Sequence, residues 1–383
     1  MKRTTLLPSI SLLALAIPLM LTGQGRERIL EDAEVVFPEP FSNIAGIREL
    51  SDGRVVVADR VESRIAILDF ASGRMTDIGR RGQGPGEFQI PGQLVPLPDD
   101  ATLLVDFGNM RLTQIGADGR FEESWPMMSE DGSFRNVTQA DSEGRLYYSQ
   151  NVMVSQGGPS NLPDSLSILR WDPSSGVTED VATVFVPRPS VRGGGVTMNG
   201  GQVRMTGMTA FAARDAWRVT ESGHVAVARA NGYRVDWYLG AQQMSRGPQL
   251  EYDPVRVDQA EREAWVENIS GSLGMVVAMG GSGASSGSMR VDAPDIEDID
   301  FPDYKPPFES NEAYMTPEGN IWLGVSRPHD DEGQLFDVVD ENGRVVERVR
   351  LPAGRELVGL GDGVLYATWA DEDDLLWLER YRR

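Results

Sequence analysis

Ile78 to Phe121, IGRRGQGPGEFQIPGQLVPLPDDATLLVDFGNMRLTQIGADGRF, is the stretch whose reading decides the fold. It opens on a Gly-rich corner (Gly79, Gly82, Gly84, Pro85, Gly86) and continues as an extended run, Gln93 to Leu97, that breaks at Asp99-Asp100. A second run from Leu103 to Asp106, a turn at Gly108-Asn109, a third run from Arg111 to Ile115 and a turn at Asp118-Gly119 complete it. Short apolar runs punctuated by Gly, Asp and Asn read as strands joined by tight hairpins. In the corner, Gly84 and Gly86 are expected at positive φ and Pro85 fixes a bend, where one four-stranded unit hands over to the next.

The unit recurs. Aligned on the turn between its first and second strands it is found at Asp52-Gly53, Asp99-Asp100, Glu143-Gly144, Ser222-Gly223, Glu318-Gly319 and Asp362-Gly363. Three of the five spacings fall within the roughly 40 to 50 residues of a four-stranded blade. The two on either side of Ser222-Gly223 are longer, from insertions or from a degenerate further blade. The second strands, such as Arg54 to Ala58, Ala101 to Val105 and His224 to Ala228, are mostly apolar and β-branched, as strands packed on both faces must be. The last unit stops one strand short at Arg383, while Glu34 to Phe37 is an orphan strand. Pairing the two would close a ring and remove an exposed edge.

The corner and the hairpin after it resemble the NHL-repeat type of six-bladed β-propeller. That family's corner reads G-x-x-G-x-G-x-G-x-F and then Pro, followed by Val, Asp and a basic residue at the next hairpin. Here these are Gly79, Gly82, Gly84, Gly86, Phe88, Pro91, Val105, Asp106 and Arg111. The resemblance implies an all-β six-bladed propeller with four-stranded blades, its ring closed by the N-terminal strand, and it is silent on function.

Composition excludes several chemistries. With no cysteine there is no disulfide, thiolate nucleophile, Cys-ligated metal or lipobox thiol. Thirty-six Lys+Arg against 58 Asp+Glu give a net charge of −22, which repels polyphosphate and anionic lipid and argues against a nucleic-acid partner. Lys2 and Arg3 followed by the apolar run Leu6 to Leu21 and the small residues Thr22, Gly23 and Gly25 have the layout of a secretory signal peptide, 1–25. The apolar run is shorter than the roughly 20 residues of a membrane span. The expected product is a periplasmic or secreted bacterial protein, an acidic monomer with one domain, 26–383, and no membrane span after cleavage.

Three insertions are expected at about 151–165, 186–213 and 242–310. The last opens with a short helix, with Asp258 as N-cap, Glu261 as the capping-box partner and Gly271 as the stop. Gly280 to Gly287 reads as linker and Asp292 to Asp303 as a solvated acidic segment. Long loops on a rigid scaffold are where binding surfaces sit, and the same composition also describes a decoration without a ligand.

Candidate chemistry is sparse. Of the two histidines, His224 opens a strand, where a structural role is expected, and His329 lies in the polar hairpin Arg327 to Gly333, where it is expected to be solvated. Two histidines exclude the three-His zinc site that the amidating lyases sharing this repeat resemble one another in having. No G-x-S-x-G elbow is present, and the corner lacks the Lys-Ser/Thr ending of a phosphate loop. Asp59 with Arg64 and Asp106 with Arg111 repeat at one offset and read as blade-stabilising ion pairs. Counting back seven residues from each aligned turn gives Ala45, Gly92, Asn136, Asp215, Asn311 and Arg355, at the starts of the innermost strands and so around the mouth of the central channel. Oxygen donors from Asn136, Asp215 and Asn311 would suit Ca²⁺. The set looks like the calcium arrangement of the lactonase and gluconolactonase propellers, which have a glutamate where this chain has Ala45. The alternative is that these residues bond channel water and backbone.

The residues favour a binding or interaction module for a protein, glycan or small-molecule ligand, with channel-mouth candidates Asn136, Asp215, Asn311 and Arg355. The alternative is a Ca²⁺-dependent hydrolase or lyase, with the metal on Asn136, Asp215 and Asn311 and with Glu312 or Glu356 as the base.

Overall fold

Val55, Val56, Val57 and Ala58 are all buried, and the alternation of a strand decides what buries each of them. Val55 and Val57 pack with Tyr366 and Leu378, while Val56 and Ala58 pack with Leu94 and Leu104. One strand thus faces two different sheets, which is the condition that stacks sheets into a ring. The computed structural model describes residues 26–150, 163–187, 195–199, 202–206, 208–240, 243–280, 290–291 and 294–383. The expected leader, 1–25, most of the first insertion and most of the expected linker Gly280 to Gly287 lie outside the described residues.

The ring has six blades. Blade 1 is Ile44–Glu49, Val55–Asp59, Arg64–Asp69 and Arg74–Asp77. Blade 2 is Pro91–Pro96, Thr102–Asp106, Arg111–Ile115 and Phe121–Pro126. Blade 3 is Gln139–Ala140, Leu146–Ser149, Ser165–Trp171 and Thr178–Phe185. Blade 4 is Ala216–Val219, Val225–Arg229, Arg234–Gly240 and Gln243–Arg246. Blade 5 is Phe308–Met315, Ile321–Val325, Leu335–Val339 and Val345–Arg350. Blade 6 is Glu356–Leu360, Val364–Ala370 and Leu376–Arg382, completed by Val35–Val36 in antiparallel register with Arg380 and Glu379. The orphan strand closes the ring as expected. Not foreseen is Arg26–Ile29, which adds in parallel to the outer strand of blade 5.

Six apolar clusters occupy the six interfaces between neighbouring blades. Polar bonds at the first turns tie the same neighbours together. Arg48 of blade 1 donates to the Asp100 carbonyl and to Thr102, both at 2.9 Å. Tyr366 of blade 6 donates to Glu49 of blade 1 at 3.0 Å. Gly46 meets blade 2 so closely that a Cβ there would lie 2.6 Å from the Gly92 carbonyl oxygen.

The structure corrects two readings of the hairpins. In the corner it is Gly79 and Gly86, at φ +66° and +73°, that hold left-handed backbone; Gly84 instead donates its N–H to Glu87 at 2.8 Å. Asp59 and Arg64, like Asp106 and Arg111, are register partners but not ion pairs. A buried carboxylate is best satisfied by several short N–H donors. Asp106 accepts from the amides of Gln89, Ile90, Gly108 and Asn109 and from the Asn109 side chain. Asp59 accepts from Ser42, Asn43 and Glu62. Each staples its hairpin to the chain arriving from the previous blade. Arg64 pairs with Asp77, and Arg111 donates to the Gly84 and Glu87 carbonyls of the corner.

Candidate functional site

Topology puts every long segment on one face. In each blade the short turns after the first and third strands lie on one side of the ring. The loop after the second strand and the crossover to the next blade lie on the other, where the innermost strands begin. The insertions follow the second strand of blade 3, the outer strand of blade 3 and the outer strand of blade 4, and so all three leave the ring from the channel-mouth face.

The helix of the last insertion is α1, Gln259–Gly280. Asp258 caps it as expected, accepting from the Glu261 amide at 3.1 Å. Gly271 does not stop it. One interior glycine costs about 1 kcal/mol, and with no proline before Gly280 the helical run continues. The Glu261 side chain does not return to the cap. It is buried against Lys305, Nζ to Oε2 2.6 Å, and it accepts from the His329 amide at 2.8 Å. His329 Nδ1 lies 3.3 Å from the same carboxylate, so this histidine is engaged and not simply solvated. Lys305 also donates to the Arg327 carbonyl at 2.8 Å and lies 4.9 Å from the Phe211 ring centroid. Burial raises the Glu261 pKa, but Lys305 and the His329 amide outweigh it and the net shift is downward. A ring cluster of Phe211, Trp265 and Phe301 packs the outer side of this knot.

Between α1 and the first strand of blade 5 the knot leaves a pocket of about 630 Å³. Trp265 and Asn268 of α1 face Glu309, Ser310, Asn311 and Glu312 across it. Lys305 is spent on Glu261. Glu309 accepts from Ser326 at 3.0 Å and Glu312 from Gln334 at 2.8 Å, and neither forms an ion pair among the described residues. Burial, followed by the charges of Glu309 and Glu356, raises the Glu312 pKa, against the Gln334 bond and Arg327.

The other channel-mouth residues meet different surroundings. Ala45 and Gly92 stand inside the first strands of blades 1 and 2. Asp215 is buried between blades 3 and 4; its oxygens accept from the amides of Phe185 at 2.9 Å and Ala230 at 3.0 Å and pair with Arg229 at 2.7 Å. Asn136 holds a buried Oδ1 with no protein partner. Arg355 pairs with Glu379 at 3.1 Å and lies over Trp369. The structure brings Asn311 and Glu312 into one pocket, with Glu356 near enough for its charge to be felt there. It does not bring Asp215 or Arg355 to them. This donor set does not fit Ca²⁺, which takes about six to eight oxygens with net negative charge. The one carboxylate of the set is neutralised by Arg229, and Ala45 supplies no donor. Among the described residues no three His, Asp or Glu are grouped to hold an ion.

Sequence reasoning missed the Glu261, Lys305 and His329 knot. A signal was present: Lys2 and Lys305 are the only lysines among the 36 basic residues, and Lys305 precedes two prolines at the point where the insertion returns to blade 5.

No protein-family model matches the chain, and no curated protein does. Solved structures similar to it include a member of the DUF4221 family from Bacteroides vulgatus, at 10% identity over 93% of this chain and 96% of that one, TM-score 0.49. Others are regucalcin, a calcium-binding protein from Agrobacterium tumefaciens, at 13% identity, 94% and 97% coverage and TM-score 0.43, and a gluconolactonase from Xanthomonas campestris, at 10% identity, 93% and 99% coverage and TM-score 0.43. Among the described residues no helix is long and apolar enough to cross a membrane.

Proposed function

We propose that this chain is an exported binding module, a propeller of the NHL-repeat type, whose site is the pocket under α1 and whose ligand carries a cationic group on an apolar body. The observation that carries the reading is the pocket's unbalanced charge. Glu309 and Glu312 face a cavity of about 630 Å³ without a counter-ion while Trp265 walls it. A cation there would offset the burial, and the charge of Glu309, that raise Glu312, and would find an aromatic face. Export rests on the leader-like start of the sequence.

The test is calorimetric titration of the protein with benzylamine and with benzyl alcohol. Benzylamine should bind at one site, about 10-fold more weakly in Glu312→Gln and in Trp265→Ala. Equal binding of the neutral alcohol, or no change in either variant, sinks the reading. A hydrolytic reading draws on one observation, the raised pKa of Glu312, since an upward shift moves a carboxyl toward the proton-holding form that a general acid needs. Turnover of lactones or esters by the wild type, abolished in Glu312→Gln, would favour it.

A further inference from the structure

A second cavity, of about 280 Å³, lies on the propeller axis toward the side opposite α1, where the innermost strands run into their first turns. Ile47, Pro96, Ala140, Val219, Met315 and Leu360 bring it one apolar side chain from each of the six blades. Arg218 breaks the pattern. It lies half-buried in the innermost strand of blade 4, among residues of the other inner strands, and its guanidinium donates to the Trp217 carbonyl at 2.7 Å. Among the described residues no carboxylate pairs with it. Burial pushes its pKa down to about 10, against nearby Tyr314, so it remains a cation at neutral pH. Arg48 and Arg229, held between blades, are matched by contrast: Arg48 with Asp100 and Arg229 with Asp215 and Asp236. Glu221 lines the same cavity but is exposed and makes no ion pair with Arg218. The Tyr314 hydroxyl is committed to the Leu357 carbonyl at 2.6 Å. Thr138, on the cavity wall, has a buried hydroxyl with no protein partner.

A partly desolvated cation without a counter-charge is costly unless something supplies one. Apolar walls with one fixed charge are the usual make-up of a small-molecule site. A single guanidinium matches one carboxylate in fork geometry, whereas a multiply charged inorganic anion would find no second cation and no use for the aliphatic wall. We propose that the axial cavity is a separate binding site, taking a small organic monocarboxylate whose carboxylate pairs with Arg218 and whose apolar body fills the lumen.

Titration of the full protein with benzoate, benzamide and inorganic phosphate, by calorimetry and by thermal melts, tests it. Benzoate should saturate one site and raise the melting temperature, and benzamide should bind about 10-fold or more weakly, since it lacks the charge. Phosphate should not saturate. Arg218→Met should lose the benzoate response while melting no lower than the wild type without ligand, and Thr138→Val should weaken benzoate a few-fold. Benzamide binding as tightly as benzoate, saturation by phosphate alone, no saturable benzoate binding, or unchanged benzoate binding by Arg218→Met would each overturn the proposal. The benzoate and benzamide comparison uses only the wild type, so it decides the question even if Arg218→Met does not fold. Benzylamine and benzoate report on different pockets, and either site can fail without the other.

Discussion

Replacing Asp106 by Ala should destabilise this protein by about 4 kcal/mol, mainly through the amides it leaves behind. The carboxylate is fully buried and accepts from four backbone N–H groups and one side-chain amide, at 2.7 to 3.3 Å. Each bond to a charged group contributes about 1.5 to 3 kcal/mol, and each buried donor left unpaired costs about 1 to 3 kcal/mol. Five such terms cannot simply add, because the donors share one acceptor and the hairpin can relax and admit water. About 4 kcal/mol corresponds to two or three donors left unmet. With roughly 320 described residues the unfolding entropy is about 0.7 kcal/mol/K, so the melting temperature should fall by about 5 to 6 °C. Glu123→Ala, an exposed change in the outer strand of the same blade, should move it by less than about 1 °C. Differential scanning calorimetry of both variants is the assay. If Asp106→Ala melts within a degree of Glu123→Ala, the hairpin staple contributes nothing and the reasoning fails.

Deleting residues 26–29 should cost little, because Arg26–Ile29 only adds to an outer edge, whereas deleting 26–38 removes the buried Leu30, Val35–Val36 and fully buried Phe37. The longer truncation should lose about 3 to 5 kcal/mol for Phe37 alone and aggregate through the opened edge of blade 6, as size-exclusion chromatography would report. Glu261 has a folded pKa below its unfolded value, so its contribution is complete above the unfolded carboxyl range, about 4.3, and is lost as pH falls through the lowered folded value. The stability gap between wild type and Glu261→Gln in urea titrations should therefore be flat above about pH 5.5 and shrink below about pH 4; a gap that grows on acidification contradicts the assignment. Glu312 has the opposite shift: its raised pKa means that ionisation works against folding as pH rises through it, and that a bound cation should pull the pKa back down. Benzylamine affinity should thus rise with pH across that titration, with proton release seen as buffer-dependent binding heat, and Glu312→Gln should flatten the profile.

Much of the fold was legible because the constraints that make a propeller are local and repeat. The Ile78 to Phe121 stretch carries its corner, hairpins and strand lengths within one blade, and six recurring turns, three of whose five spacings match a four-stranded blade, suffice for the ring. The orphan strand at Glu34 to Phe37 was legible for a different reason: a blade one strand short and a strand without a blade have one economical solution. The hairpin acids were not legible in detail. Asp59 and Arg64 are cross-strand partners in register, as their offset implies, but register does not say which way a side chain turns, and buried amides outcompete an arginine that can reach solvent or a neighbouring strand.

The candidate site divides along the same line. Counting back from the turns found the starts of the innermost strands: Ala45 and Gly92 lie within them, and Asp215 and Arg355 lie one residue before them. Asn311 falls mid-strand because the strand Phe308–Met315 begins early and changes register between Phe308 and Ala313. Position on an inner strand is a one-dimensional fact, whereas convergence depends on the partners each blade offers. Asp215 has Arg229 two strands' length of sequence away and is drawn to it, while Glu312 has no cation of its own and stays in the pocket. Arg218 shows the converse. Sequence patterning gave no reason to single out one arginine among so many, and only its placement between five other inner strands, with no acid opposite, separates it from the arginines that hold blades together. On this scaffold an unpaired charge that faces a cavity is where a ligand has electrostatic work to do.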